Sequence, residues 1–92
     1  MNDIQNSKIF DFKIYTPAEI LVSGKVKSVM IPSIAGPFQV LYNHAPVIAA
    51  MSNGTIIVVA ENDKEWHYLI KGGIAELHKN QVSIMVEDIE KI

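Results

Sequence analysis

No cysteine occurs anywhere in these 92 residues. Disulfides, thiolate nucleophiles and zinc–thiolate sites are therefore excluded together, and a reducing compartment is compatible with the chain. No apolar run approaches the roughly 20 residues that a membrane-spanning helix needs; the longest, Ala45 to Met51 and Ile56 to Ala60, fall far short. Excess charge is missing too. With 8 Lys+Arg against 10 Asp+Glu the net charge is -2, which removes the electrostatic basis for general binding of nucleic acid or anionic lipid. The amino terminus, Met1-Asn2-Asp3-Ile4-Gln5-Asn6-Ser7-Lys8, has neither an apolar core nor a basic run, so it reads as neither a secretory signal nor a transit peptide.

The usual signatures of catalysis are absent as well. His44, His67 and His78 are scattered, without the spacing that brings two ligands onto one metal. Ser23 and Ser52 sit in no nucleophile elbow. Glu61, Asp63 and Glu65 flank a turn and Glu87, Asp88 and Glu90 crowd the tail, both of which read as solvated charge. Lys71-Gly72-Gly73 has its glycines after the lysine, the reverse of a phosphate-binding loop, and reads as a glycine bulge between strands. No window sustains helical periodicity, and no repeat, linker or low-complexity segment divides the chain, so 1–92 reads as a single domain.

What is present is a succession of short strands between turn signals. The organising stretch is Gly36 to Pro46. Gly36-Pro37 forces a turn and an extended exit, Phe38 and Val40 share one face of a short strand, and Asn43 and Pro46 make a second rigid corner. Before it, Phe10, Phe12 and Ile14 alternate with polar neighbours until Thr16-Pro17 stops the strand. Ser23-Gly24 is expected to turn the chain into Lys25 to Pro32, where Val29 and Ile31 point opposite to Ser28 and Met30.

Beyond the organising stretch, Val47 to Met51 reads as a weaker strand. Asn53-Gly54 is the strongest hairpin signal and also accounts for the glycosylation-like Asn53-Gly54-Thr55. It feeds Thr55 to Ala60, apolar on both faces and expected to lie centrally between two layers. Glu61 to Lys64 is a polar turn, and Trp66, Tyr68 and Ile70 form a core face that Gly72-Gly73 interrupts. Ile74 to His78 and Val82 to Val86 make a last hairpin around Lys79-Asn80-Gln81; Glu87 to Ile92 is too short for an independent helix. The fold class is all-β: a β-sandwich or flattened barrel of about ten short strands.

His44 has two readings at this stage: a ring that hydrogen-bonds local backbone in a rigid corner, or a contact to a partner. Trp66 and Tyr68 are better read as core than as base-stacking rings, since no Arg is interleaved with them.

Taken together, Phe12-Lys13-Ile14-Tyr15-Thr16-Pro17, Ser23-Gly24-Lys25-Val26 with Val29 and Pro32, Gly36 through His44-Ala45-Pro46, Gly54, and Gly72-Gly73 followed by Val82-Ser83-Ile84 resemble a known family. It is the epsilon subunit of the rotary F-type ATP synthase, in its amino-terminal β-sandwich domain. The resemblance covers nearly the whole chain. Gln39 stands where that family usually has glycine, and the Ser33 to Pro37 corner lacks the acidic residue often found there.

The resemblance implies a non-catalytic part of the central stalk, without cofactor or metal, docked on the gamma subunit and standing on the ring of c subunits. Thr16, His44, Ala45, Pro46 and Ala49 would meet gamma, and Ser33, Ile34, Ala35 and Gly36 would face the c ring, with Ser33 to Ala35 expected to be exposed. Localisation would be peripheral, on the cytoplasmic face of the bacterial inner membrane or the equivalent face of an organelle, with membrane association only through the complex. Glu87 to Ile92 offers barely one helical turn, so no inhibitory helical hairpin and no ATP site are expected. Two other classes share the small β-sandwich: a lipoyl or biotinyl carrier, with its modified lysine on a hairpin tip, and an OB-type nucleic-acid binder.

Overall fold

A computed structural model describes residues 8–92; the segment screened above for targeting signals lies almost wholly outside the described residues. Seven strands run in chain order: β1 (Phe10–Tyr15), β2 (Ile20–Ile31), β3 (Phe38–Val40), β4 (Val47–Ala60), β5 (Glu65–Leu77), β6 (Gln81–Met85) and β7 (Ile89–Lys91). Antiparallel pairing joins β1 to β2, β2 to β4, β4 to β5 and β5 to β6. Parallel pairing of β6 with β1 then closes the ring. Closure leaves the five main strands without a continuous open edge, the usual hazard of a small sheet protein.

The ring is flattened into two layers because its three long strands each serve both. The first half of β2 pairs with β1 and its second half with β4 and β3. The first half of β4 pairs with the second half of β5, which also holds β6, while the first half of β5 holds β7. With those three strands counted in each layer, seven strands supply ten strand segments, which is how an expectation of about ten short strands meets a structure with seven.

Two of the three strands that serve both layers show a local cause. In β5, Gly72 (φ +74) and Gly73 (φ +129) adopt backbone that side chains disfavour. The Ser52–Gly72 pair drops out there, although the register of β4 against β5 is unchanged on both sides. In β2 a register shift between Val26 and Ser28 inserts one residue, so that Val26, Val29 and Ile31 all reach the interior. The core is drawn from every strand of the ring: Phe12 and Ile14, Val29 and Ile31, Ile56 and Val58, Tyr68 and Ile70, Val82 and Ile84.

Two sequence expectations fail in instructive ways. Ser23-Gly24 makes no turn but lies inside β2, where Gly24 pairs with Phe12. Asn53-Gly54 makes no hairpin either: β4 runs straight through it, because twelve pairs with β5 bury Ile56 and Val58 in a way that a tight turn at 53–54 would forfeit. Gly54 instead lies close against β2's end: a Cβ there would sit 3.0 Å from the Pro32 side chain, so Pro32 would have to shift by a few tenths of an ångström to admit one. The chain reverses at the expected polar turn, where Ala60 N donates to Lys64 O at 2.8 Å and Asp63 takes φ +70. The tail forms no helix, as its length implied, and adds a strand that had no signal: Ile89–Lys91 pairs with β5, secured by Lys91 Nζ lying 4.2 Å from the centre of the Trp66 ring. Thr55 to Ala60 is central within its sheet, but only Ile56 and Val58 are fully buried; Ile57 and Val59 lie half-buried on the outer face.

Candidate docking site

The Asn43 corner begins where β3 ends after three residues. Asn43 takes φ +65, and His44 N donates to Leu41 O at 3.1 Å, closing a tight turn. The His44 ring is half-buried: Nδ1 donates to Ala45 O at 2.7 Å, and the ring lies 5.9 Å from that of Phe38 at an interplanar angle of 33°. Both readings of His44 therefore retain a physical basis, the first as an observed hydrogen bond, the second because Leu41 to Asn43 before it and Ala45-Pro46 after it are exposed. Ala45 and Pro46 are exposed, and β4 starts directly after them.

The second corner is braced by serines. Ser33 Oγ accepts from Ala35 N at 3.2 Å, Ser33 O accepts from Gly36 N at 3.0 Å, and Ile34 N donates to Ala50 O at 2.9 Å. Ser52 N and Oγ both donate to Pro32 O, at 2.8 and 3.0 Å. Gly36 takes φ +127, as a glycine at a forced corner should. One expectation is corrected here: Ser33 is only 9% exposed. Its hydroxyl and carbonyl are used up in building the turn, and the outward surface is left to Ile34, Ala35 and Gly36. Between this corner and the start of β4 lies an open groove of about 480 Å³, lined by Ile34, Ala35, Phe38, Val47, Ile48 and Ala49. Ile34 and Ile48 stand on it at 68% and 72% exposure.

Thr16 does not join this cluster. Its Oγ1 accepts from Ala18 N and Glu19 N at 3.1 and 3.2 Å, making the turn that ends β1. That turn follows the end of β1 paired with Met85, whereas the His44 corner is bonded to Asn80, at the opposite end of β6. Ala49, by contrast, lines the groove.

A compositional feature passed over by motif reading marks the same region. From Ser28 to Ala60, thirty-three consecutive residues include no Asp, Glu, Lys or Arg, so all eighteen charged side chains lie elsewhere. Four of the large exposed apolar side chains, Ile34, Leu41, Tyr42 and Ile48, belong to this uncharged stretch. Motif searches miss it because a long absence has no spacing; counting charges along the chain finds it.

Among the described residues no group of three or more His, Asp and Glu side chains is placed to hold a metal ion. His67 bonds Glu65 through Nε2 at 2.8 Å on the outer surface of β5, and His78 is exposed at the end of that strand. Lys27 sits at the β2 bulge and Lys71 inside β5; Lys79 does occupy a hairpin tip, but between His78 and Asn80 and not beside Asp or Met.

A comparison with known families decides between the remaining classes. Residues 9–92 match the family described as the ATP synthase delta/epsilon chain, β-sandwich domain. The chain belongs to that family. Within the delta/epsilon family it is 33% identical over 84 residues to the ATP synthase epsilon chain of Chlorobium limicola, covering 91% of this chain and 96% of that one. It is 35% identical over 79 residues to the ATP synthase epsilon chain of Helicobacter pylori (strain Shi470), covering 86% of this chain and 63% of that one.

Among solved structures, the fold is similar to one in the cryo-EM structure of the Euglena gracilis mitochondrial ATP synthase (OSCP/F1/c-ring). The TM-score is 0.84 at 22% identity, covering 90% of this chain and 53% of that one. A Tetrahymena thermophila mitochondrial ATP synthase structure of the central stalk and c-ring gives 0.74 at 13% identity, covering 87% and 64%. At those identities the likeness is one of delta/epsilon-type fold.

Proposed function

We propose that this chain is the epsilon-type subunit of the central stalk of a rotary ATP synthase: a non-catalytic part seated between the gamma subunit and the ring of c subunits. In that position it couples proton or sodium flow to ATP synthesis. Membership of the delta/epsilon family sets the class. The observation that carries the reading further is the uncharged stretch from Ser28 to Ala60, which gathers two braced corners and four exposed large apolar side chains on a chain otherwise studded with charge. Apolar surface of that kind is kept for a partner, and braced corners suit a contact that must not yield under torque.

In this reading His44, Ala45, Pro46 and Ala49 meet gamma, while Ile34, Ala35 and Gly36 meet the ring. Ser33 supports that second corner from within. Thr16, at the other end of the sheet, takes no part in the His44 contact. The chain reaches the cytoplasmic face of a bacterial inner membrane only through the assembly.

The test is recovery of gamma with a tagged form of the chain from solubilised membranes, for the parent protein and for His44→Glu. Recovery is expected to fall at least about fivefold, while the melting temperature moves by only a few degrees, as for a surface substitution. A variant that melts early yet retains gamma normally makes His44 a purely structural residue. Cysteine at Ile34, Ala35 or Gly36 should crosslink to a c-subunit loop; failure at all three with assembly intact moves the ring contact elsewhere.

A further inference from the structure

We infer that Asn43 and Asn80 form a clamp that holds the His44 corner in its docking conformation, which makes Asn80 a positioning residue for the gamma contact; this rests on the stalk reading above. The two residues are 37 positions apart, yet their amides bond reciprocally. Asn43 N donates to Asn80 Oδ1 at 2.7 Å, and Asn80 Nδ2 donates to Asn43 Oδ1 at 3.1 Å. The backbone donor fixes which end of the Asn80 amide faces it, so the second bond follows from the first.

Both residues also occupy left-handed backbone, at φ +65 and +59. Glycine takes that conformation without strain, and asparagine less readily. Asparagine at both places, each side chain bonded to the other residue, means that the side chains serve a purpose glycine lacks. The two ends of the clamp differ in how firmly they are held. Asn80 sits on the β5–β6 hairpin, where His78 and Gln81 exchange two 3.1 Å backbone bonds, and its own carbonyl accepts from Asp11 N at 3.1 Å. Leu41 to Pro46 lies outside any strand and is tied otherwise by local bonds, His44 N to Leu41 O and His44 Nδ1 to Ala45 O. The clamp thus moors a loop to the closed ring.

The experiment uses the full chain with Asn80→Gly, Asn43→Gly, the double variant and Asn80→Asp. It measures amide relaxation of the isolated chain, affinity for purified gamma, and thermal unfolding. Asn80→Gly retains the left-handed turn and loses only the amide. It should lower the order parameters of residues 42–45 from about 0.85 to below about 0.6, weaken gamma binding about fivefold, and leave unfolding within a few degrees.

The double variant should be no worse than either single one, as for one shared interaction. Asn80→Asp retains an acceptor for Asn43 N and should recover most of the order and affinity. Unchanged order in Asn80→Gly overturns the clamp, whatever gamma does. Lost order with unchanged affinity overturns its docking role. Failure of the parent chain to bind gamma sinks the stalk reading and the docking role together, while relaxation of the isolated chain still decides the clamp.

Discussion

Isoleucine meets opposite fates in two regions of this molecule. Inside the closed ring Ile14, Ile31, Ile56, Ile70 and Ile84 are sealed, each at most 1% exposed, whereas at the groove Ile34 and Ile48 stand 68% and 72% exposed. Hydropathy alone treats the two sets alike. What separates them is strand phase: the sealed residues occupy inward positions of strands paired on both sides, and the groove residues sit on a turn and on the outer face of β4, where no other strand covers them. A chain of this size buries a modest core, so leaving two large apolar side chains outside it is informative about what the groove is for.

The most forceful way to break the comparison is to truncate one isoleucine of each kind. Ile84→Ala removes a fully buried side chain between β1 and β5 and should cost about 2–5 kcal/mol. In a domain of this length that lowers the melting temperature by at least about 10 °C. Ile48→Ala should move stability by no more than about 0.5 kcal/mol while weakening gamma binding. Chemical denaturation of both variants checks the pair; a large loss of stability from Ile48→Ala would show that the groove belongs to the core.

A smaller effect is expected where the two layers meet. At Gly73 a Cβ would run into the Met85 carbonyl oxygen, and φ +129 disfavours any side chain. Gly73→Ala should therefore destabilise by about 1–3 kcal/mol, whereas Gly24→Ala, with open space around the Cβ and no positive φ, should be neutral or slightly stabilising. Denaturation midpoints of the two variants decide whether the crossing needs its glycine or merely tolerates it.

The same contrast between local and long-range causes governs how much of the structure was legible in the sequence. Phe10, Phe12 and Ile14 alternate because β1 is half-buried, and period-two patterning reports that directly. Gly36-Pro37 and Thr16-Pro17 were legible for a similar reason, since φ limits act on neighbouring residues. Asn53-Gly54 misled because turn propensity is weak against twelve strand pairs, and Lys79-Asn80 was the turn that tertiary pairing kept. At the candidate site both corners could be placed, but not the burial of Ser33, which depends on the approach of Ala50 and Ser52, nor the Asn43–Asn80 clamp, which spans 37 residues. Side chains that bond across the fold leave no periodic trace.

The smallest expected effect sharpens the comparison from the side of charge, since the titrating groups with a displaced equilibrium lie outside the uncharged stretch. The Lys25 ammonium is held above its ordinary 10.5, chiefly by its 2.7 Å hydrogen bond to Asp11 and then by that carboxylate's charge. Burial raises the Tyr68 hydroxyl above its ordinary 10.0. For both groups the folded value exceeds the unfolded one, so the unfolded chain releases its protons first as pH rises. Their stabilising contribution is thus complete below about pH 10 and is lost as pH climbs through the folded values. Urea unfolding should be insensitive to these two groups from about pH 7 to 9 and should weaken steadily above. Tyr68→Phe should flatten part of that alkaline slope with little change at neutral pH, whereas Lys25→Met should flatten a further part by giving up, already at neutral pH, the small contribution of an exposed ion pair. If both variants retain the parent slope, alkaline sensitivity has another origin, and the contrast between a charged barrel wall and an uncharged groove region would carry no energetic weight.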